Sequence, residues 1–282
     1  MPGDDYQLVK LANGTFSIYS QAEDETFHPV VGPVAEAEAL YVNQLKLRER
    51  VGSQTGEFVI WDVGLGAAAN VLTALRATRD LSCSLHIISF DRTIAPLHFA
   101  MQHAAELGYV APYETIVQQL LQTGRADFKH DLQSVRWQLH LGDFPEFLRQ
   151  RGQTPAPHAI LFDAFSPAKN PAMWTAPLFV NLFKALDPMR PCAMPTYSRS
   201  TMLRVTLLLA GFYVGIGHAT GEKEETTIAA NTLELIDEPL PLTWLKRVRQ
   251  SKSAEPMWEP VYRQAHLAPE TWEKLRGHPQ FA

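Results

Sequence analysis

EFVIWDVGLGAAANVL, residues 57 to 72, is an apolar run that carries one acid, Asp62, bends at Gly64 and Gly66, and continues into an alanine-rich segment of helical character. A short apolar run ending at glycine reads as a buried strand. The two glycines let the backbone turn tightly and come close to a ligand, and the helix that follows presents free N–H groups to it. Taken alone the signal is weak. Ala69 stands at the last position of a full G-x-G-x-x-G, no Lys-Ser/Thr pair follows as in a P-loop, and a plain strand-to-helix turn would read the same way.

What decides the fold is repetition on the C-terminal side. LHIISFD is followed by a helical segment from Ala95 to Leu107, VRWQLHLGD by one from Phe144 to Gln150, HAILFDAF by one from Pro177 to Leu186, and CAMPTYS by one from Ser200 to Ala210. Short apolar runs alternating with helices predict a parallel sheet covered on both faces, an α/β doubly wound, Rossmann-like core. The last two strands, FYVGIG and TTIAAN, are joined only by HATGEKEE, too short for a crossover helix, so they are expected to pair antiparallel. Seven strands, mostly parallel with an antiparallel last one, separate class I AdoMet-dependent methyltransferases from most dinucleotide dehydrogenases.

On the N-terminal side, YQLVKLANGTFSIYS alternates apolar and polar side chains around Asn13-Gly14 and predicts a hairpin with a two-residue turn. A helix from Val34 to Arg50 follows, with Leu40, Tyr41, Leu45 and Leu47 on one side. Beyond Asp237 the composition turns to Pro, Trp and charge, so the chain divides into 1–50 (hairpin and helix), 51–236 (core) and 237–282 (appended helical tail). Lys246, Arg247, Arg249 and Lys252 form a basic run that is either a solvated helix face or a docking surface for nucleic acid.

The 282 residues, 46% hydrophobic and 20% charged, suffice for one substantial core with accessory elements or for two domains. A net charge of −5 argues against bulk electrostatic coating of nucleic acid but leaves room for a local basic patch. Cys83 and Cys192 stand far apart, as in a reducing compartment, and form no disulfide framework or metal cluster. MPGDDYQLVK has no secretory apolar run and no stretch is long enough for a membrane span, so a cytoplasmic protein is expected.

Four acids fall at or just after the predicted strand ends: Asp62, Asp91, Asp143 and Asp163. In an open parallel sheet that edge is where ligands bind. A carboxylate at the second strand suits ribose hydroxyls, one after the third suits an adenine amino group, and the glycine bend faces the amino-acid end of an adenosyl ligand. Each acid alone also fits a helix N-cap, Asp143-Phe-Pro above all.

DAFSPAKNPAMWT, residues 163 to 175, resembles the D-x-F-x-P-x-K-N-P-x-M-W run of the MnmC-like tRNA methyltransferase family almost position for position. GPVAEAEALYV (32 to 42, with Gly32, Glu36 and Tyr41), VGLGAAAN, TYSRS and GEKEE resemble further segments of that family, so the resemblance covers about residues 6 to 232. Ala67 and Ala68 depart from its G-F-G-T-G-L-N loop, and Asp62 replaces its more usual glutamate. No flavin-binding module is found.

The resemblance implies S-adenosyl-L-methionine as methyl donor and a tRNA wobble uridine as substrate, whose 5-aminomethyl group, with or without 2-thiolation, becomes methylaminomethyl. It implies catalytic roles for Asp163, Phe165 and Pro167. Asp62, Gly64, Gly66, Asp91, Asp143 and Asp163 are expected at the cofactor, and Lys169, Asn170 and Tyr197 at the substrate. An alkylammonium is protonated near neutral pH, so Asp163 is expected to accept a hydrogen bond from the amine and hold it in line. Two rival readings stay open: a spermidine-synthase-like aminopropyltransferase, and a non-catalytic RNA- or protein-binding module on the same fold. His28, His86, His98, His103, His130, His140, His158 and His218 show no metal-ligand spacing, so no metal is assigned and each reads as an ordinary surface or core histidine.

Overall fold

The computed structural model describes residues 5–150, 152–221 and 224–282; positions 222 and 223 of the GEKEE stretch lie outside the described residues. At the N-terminus β1 (Tyr6–Lys10) and β2 (Phe16–Ser20) pair antiparallel, and β3 (Glu25–Thr26) adds a short third strand. The turn is longer than the expected two residues. The Leu11 N–H donates to Thr15 O and the Gly14 N–H to Leu11 O, with Gly14 at φ +86. That is a three-residue connection closed by a left-handed glycine.

The expected helix from Val34 to Arg50 is broken into α1 (Pro33–Ala37), a π-helical turn (Glu38–Asn43) and α2 (Leu47–Ser53). The break falls at Lys46, which takes the left-handed conformation. Leu40, Tyr41, Leu45 and Leu47 are all buried, so the apolar spacing located the face although not the break.

The main sheet is built by β4 (Glu57–Val63), α3 (Ala69–Thr78), β5 (Cys83–Asp91), α4 (Ala95–Gln102), α5 (Ala104–Leu107), α6 (Glu114–Thr123), β6 (Arg125–His130), β7 (Gln133–Leu141), α7 (Phe144–Gln150), β8 (Ala159–Phe162), α8 (Ala176–Ala185), β9 (Ala193–Thr196), α9 (Thr201–Ala210), β10 (Tyr213–Gly217) and β11 (Thr226–Ala230). The order is β10-β11-β9-β8-β4-β5-β7-β6. Strands β9, β8, β4, β5 and β7 run parallel, and β11 lies antiparallel between β9 and β10 as the short loop required.

The sheet has eight strands where seven were expected. The extra one, β6, pairs antiparallel with β7 across a turn at Asp131 and Leu132. Its sequence, RADFKH, alternates Arg125, Asp127 and Lys129 outward with Ala126 and Phe128 inward, and those charges protect an edge that ends the sheet.

Each face of the sheet carries its own apolar cluster. Phe58 and Ile60 of β4 pack with α3 residues such as Leu72 and Leu75, whereas Val59, Trp61 and Val63 pack with Phe179 and Leu182 of α8 and with α9. Residues 237–282 form α10 (Trp244–Gln250) and α11 (Pro269–Arg276) and join the second cluster through Trp244, Val248, Met257 and Leu275. Within the basic run, Arg247 reaches Glu225 at 3.7 Å and Arg249 lies over the Trp272 ring. Among the described residues no helix is long and apolar enough to cross a membrane.

Candidate active site

A cavity of about 490 Å³ opens at the carboxyl ends of β4, β5 and β8, and the three-stranded N-terminal sheet with the loop after it forms its lid. The floor is the glycine bend. The Gly64 N–H donates to Phe90 O at 2.9 Å, the Asp163 N–H donates to Val63 O at 2.9 Å, and the Gly66 N–H donates to Asp91 Oδ2 at 2.9 Å. The neighbouring strands therefore stitch the bend in place. Gly64 is at φ +95, and a Cβ there would lie 2.5 Å from the carbonyl oxygen of Asp163, so only glycine lets the two strand ends approach.

Asp91 lines the cavity and serves the bend as well, accepting also from the Thr93 N–H at 3.2 Å; burial raises its pKa despite those bonds. Asp143 lines it too and accepts from the Glu146 N–H at 2.9 Å, so it also caps α7, as Asp143-Phe-Pro allowed. Asp62 lies elsewhere. Strand alternation turns it to the Ile60 face, where Oδ2 accepts from Ser89 Oγ at 2.7 Å and Oδ1 is buried without a partner. Burial pushes its pKa up to about 8. It is one residue too deep in β4 to line the cavity that Val63 and Gly64 do line.

On the opposite wall stands Asp163, 16% exposed, with Asn70 Nδ2 donating to its Oδ2 at 2.8 Å. Phe165 lines the cavity beside Phe27 of the lid, their rings edge-on at 5.3 Å, and its carbonyl accepts from Trp174 Nε1 at 2.7 Å. Tyr197 and Asn170 line it as well; the Tyr197 hydroxyl donates to Ala164 O at 3.0 Å. Pro167 and Lys169 do not. Pro167 stiffens the turn from outside, and the Lys169 ammonium faces Asp24 of the lid at 3.2 Å.

Asn70, Glu36 and His28 are among the lining residues that went unassigned in the sequence. Asn70 sits inside VGLGAAAN and Glu36 inside GPVAEAEALYV, so both fell within noticed segments without being given a role. His28 had no signal at all. It is not an ordinary histidine: Nε2 lies 3.4 Å from Asp163 Oδ2 and Nδ1 3.6 Å from Glu36 Oε2. Burial favours its neutral form, but Asp163 and Glu36 outweigh that and raise its pKa to about 9. Among the described residues no group of His, Cys, Asp and Glu is arranged to hold a metal ion.

These residues fit an adenosyl ligand. Gly64 and Gly66 line the cavity without side chains, Asp91 presents a carboxylate acceptor at the end of β5, and the buried Oδ1 of Asn70, at the cavity wall, has no partner within the protein.

Sheet order, glycine bend and strand-end acids together define the class I AdoMet-dependent methyltransferase fold. Residues 110–232 match the family described as S-adenosyl-L-methionine-dependent methyltransferase. Within that class the chain is similar to MnmC proteins. It is 30% identical over 194 residues to the tRNA 5-methylaminomethyl-2-thiouridine biosynthesis bifunctional protein MnmC of Aeromonas salmonicida, an alignment covering 64% of this chain and 28% of that protein. With the Ralstonia nicotianae counterpart it shares 28% over 253 residues, 85% of this chain and 35% of that one. The chain thus spans about a third of the length of the curated relatives it matches. Among solved structures it resembles MnmC2 from Aquifex aeolicus, with a TM-score of 0.71 at 23% identity, covering 96% of this chain and 82% of that one. A spermidine synthase in complex with the transition-state analogue AdoDATO shares the fold at a TM-score of 0.54 and 12% identity, covering 96% and 84%.

Proposed function

We propose that this chain is an AdoMet-dependent N-methyltransferase that converts the 5-aminomethyl group of a (2-thio)uridine at the tRNA wobble position to methylaminomethyl. The observation that carries the reading is the convergence of Asp163, the Gly64–Gly66 bend and Asp91 on one cavity. AdoMet, when bound, supplies a methyl group on a sulfonium. Gly64, Gly66 and Asp91 would hold it, with Asp143 near the adenine end.

Asp163 then faces the nucleophile. Its carboxylate, fixed by Asn70, accepts a hydrogen bond from the amine and points the nitrogen's lone pair into the cavity. Phe165, Phe27 and Tyr197 form aromatic walls against which a base extruded from the anticodon loop stacks, and Asn170 offers an amide to its edge. The match to the family's D-x-F-x-P-x-K-N-P run and the similarity to proteins of tRNA 5-methylaminomethyl-2-thiouridine biosynthesis support the same substrate.

One observation favours a second reading. Asp5, Glu23, Glu25 and Glu36 also line the cavity, and acids of that number suit a polyamine. The purified chain, offered AdoMet or decarboxylated AdoMet with aminomethyluridine tRNA or with putrescine, separates the readings. Methyl transfer to tRNA is expected; aminopropyl transfer would establish the second, and absence of AdoMet binding by calorimetry would leave a non-catalytic module. Mass spectrometry of wobble nucleosides from cells lacking the protein tests the substrate directly.

A further inference from the structure

His28 sits where the lid, α1 and the end of β8 converge. β2 fixes the loop that carries it: the Phe27 N–H donates to Ile18 O at 2.8 Å, and Ser17 Oγ donates to the Phe27 carbonyl. The His28 backbone is held at φ +48, a left-handed conformation that a non-glycine residue adopts only when its surroundings hold it there. From this position the ring lies between two carboxylates, one for each nitrogen, and only the imidazolium offers an N–H to both.

The charge balance decides what this does. Two carboxylates facing an incoming alkylammonium would bind it as an ion pair, with the proton still occupying the lone pair that must react. With a cation already between them, the same acids attract a second cation far less, and a neutral amine still donates a hydrogen bond to Asp163. The other titratable groups around the cluster do not supply that charge. Burial raises the Tyr41 and Tyr197 phenols and keeps them neutral, burial likewise raises Asp62, and Glu25 accepts from the Ser166 backbone N–H and hydroxyl.

We propose that His28 is a positioning residue acting through Asp163: by supplying the positive charge between Asp163 and Glu36, it makes the strand-end carboxylate receive the target amine in its neutral form instead of trapping the ammonium. The proton shed by the ammonium goes to water before the amine binds. The proposal rests on the methyltransferase reading above.

Two measurements test it. In the free protein, NMR of labelled histidine rings is expected to show His28 doubly protonated at pH 7.5, titrating near pH 9, with a lower midpoint in Asp163→Asn. A neutral ring at pH 7.5 would overturn the proposal. In steady-state assays from pH 6 to 10, His28→Gln is expected to lower kcat about tenfold at pH 7 and to leave or lower KM for the aminomethyl substrate. Activity should recover as pH rises and the free amine becomes abundant. An unchanged kcat and pH profile in a folded His28→Gln protein would overturn it. If that variant does not fold, Glu36→Gln, which removes the other partner, is expected to move the same profile by less, and no movement counts against the proposal. A wild-type chain with a cationic His28 but no methyl transfer to any aminomethyl substrate would sink the methyltransferase reading, and the inference with it; a neutral His28 in an active enzyme would sink the inference alone.

Discussion

The two walls of the cavity are held by different means. The floor, at the ends of β4 and β5, is backbone: Gly64 and Leu65 donate to Phe90 O, and Asp91 caps the Gly66 N–H. The facing wall is joined to the lid by side chains drawn from far along the chain. Ser166 bonds to Glu25, Lys169 pairs with Asp24, Asp163 meets His28, and Phe165 meets Phe27. A ladder-held wall is as rigid as the sheet, whereas a wall held by exposed and half-buried contacts can part to admit a bulky substrate.

The two walls touch at Gly64, and the largest effect is expected there. In Gly64→Ala the new Cβ would sit 2.5 Å from Asp163 O at φ +95. Left-handed strain of about 1–2 kcal/mol and overpacking of about 1–3 kcal/mol together destabilise by roughly 2–5 kcal/mol. Denaturant unfolding measures this; a loss under about 1 kcal/mol would show that the walls are not rigidly coupled.

The next contrast separates their chemistry. Asp163→Ala is expected to lower turnover about a hundredfold or more while AdoMet affinity stays within about threefold. Asp91→Ala is expected to weaken AdoMet about tenfold or more by calorimetry, because it would remove the acceptor proposed for the ligand and free the Gly66 N–H. The opposite pattern would exchange the roles of the two walls.

The same division explains what could be read in advance. Strand, bend and helix at 57–78 are encoded by neighbours in sequence, so the sheet, the bend and Asp91 were legible, and the antiparallel last strand followed from loop length. Asp163 was legible as a strand-end acid, but the groups gathered around it were not: Glu25, which bonds to Ser166, and His28, which lies between Asp163 and Glu36, reach the wall only because the N-terminal segment folds back over it, and no local periodicity records that. β6 was missed because its charged outer positions mask a short alternation. Asp62 was misplaced because the rule locates strand ends to within a residue or two, whereas the side-chain period of two turns a one-residue error into the wrong face.

Asp62→Asn sharpens that last point. Its pKa is raised to about 8 by burial, from 3.8, so between about pH 4 and 8 the folded state holds a proton that the unfolded state has lost, and stability falls as pH rises through that window. The amide has no such slope. The variant is expected to gain on wild type steadily as pH rises from 4 to 8, with no such gain below pH 4, and to bind AdoMet within about threefold. A tenfold loss of AdoMet affinity would bring Asp62 back to the cofactor through a bridging water.

The smallest effect is expected at the outer edge of the side-chain wall. Lys169 was expected at the substrate, yet its ammonium faces Asp24 across the lid, in an ion pair open to solvent that salt and water screen. Lys169→Ala should leave the unfolding midpoint and AdoMet affinity unchanged. If the pair is only a latch, KM for tRNA also stays within about twofold and its salt dependence is unaltered. If Lys169 leaves Asp24 for a phosphate when tRNA binds, KM rises and the slope of log affinity against log salt falls by about one. That outcome would make the lid contact a competitor of the substrate and would turn the looser wall into part of the tRNA surface.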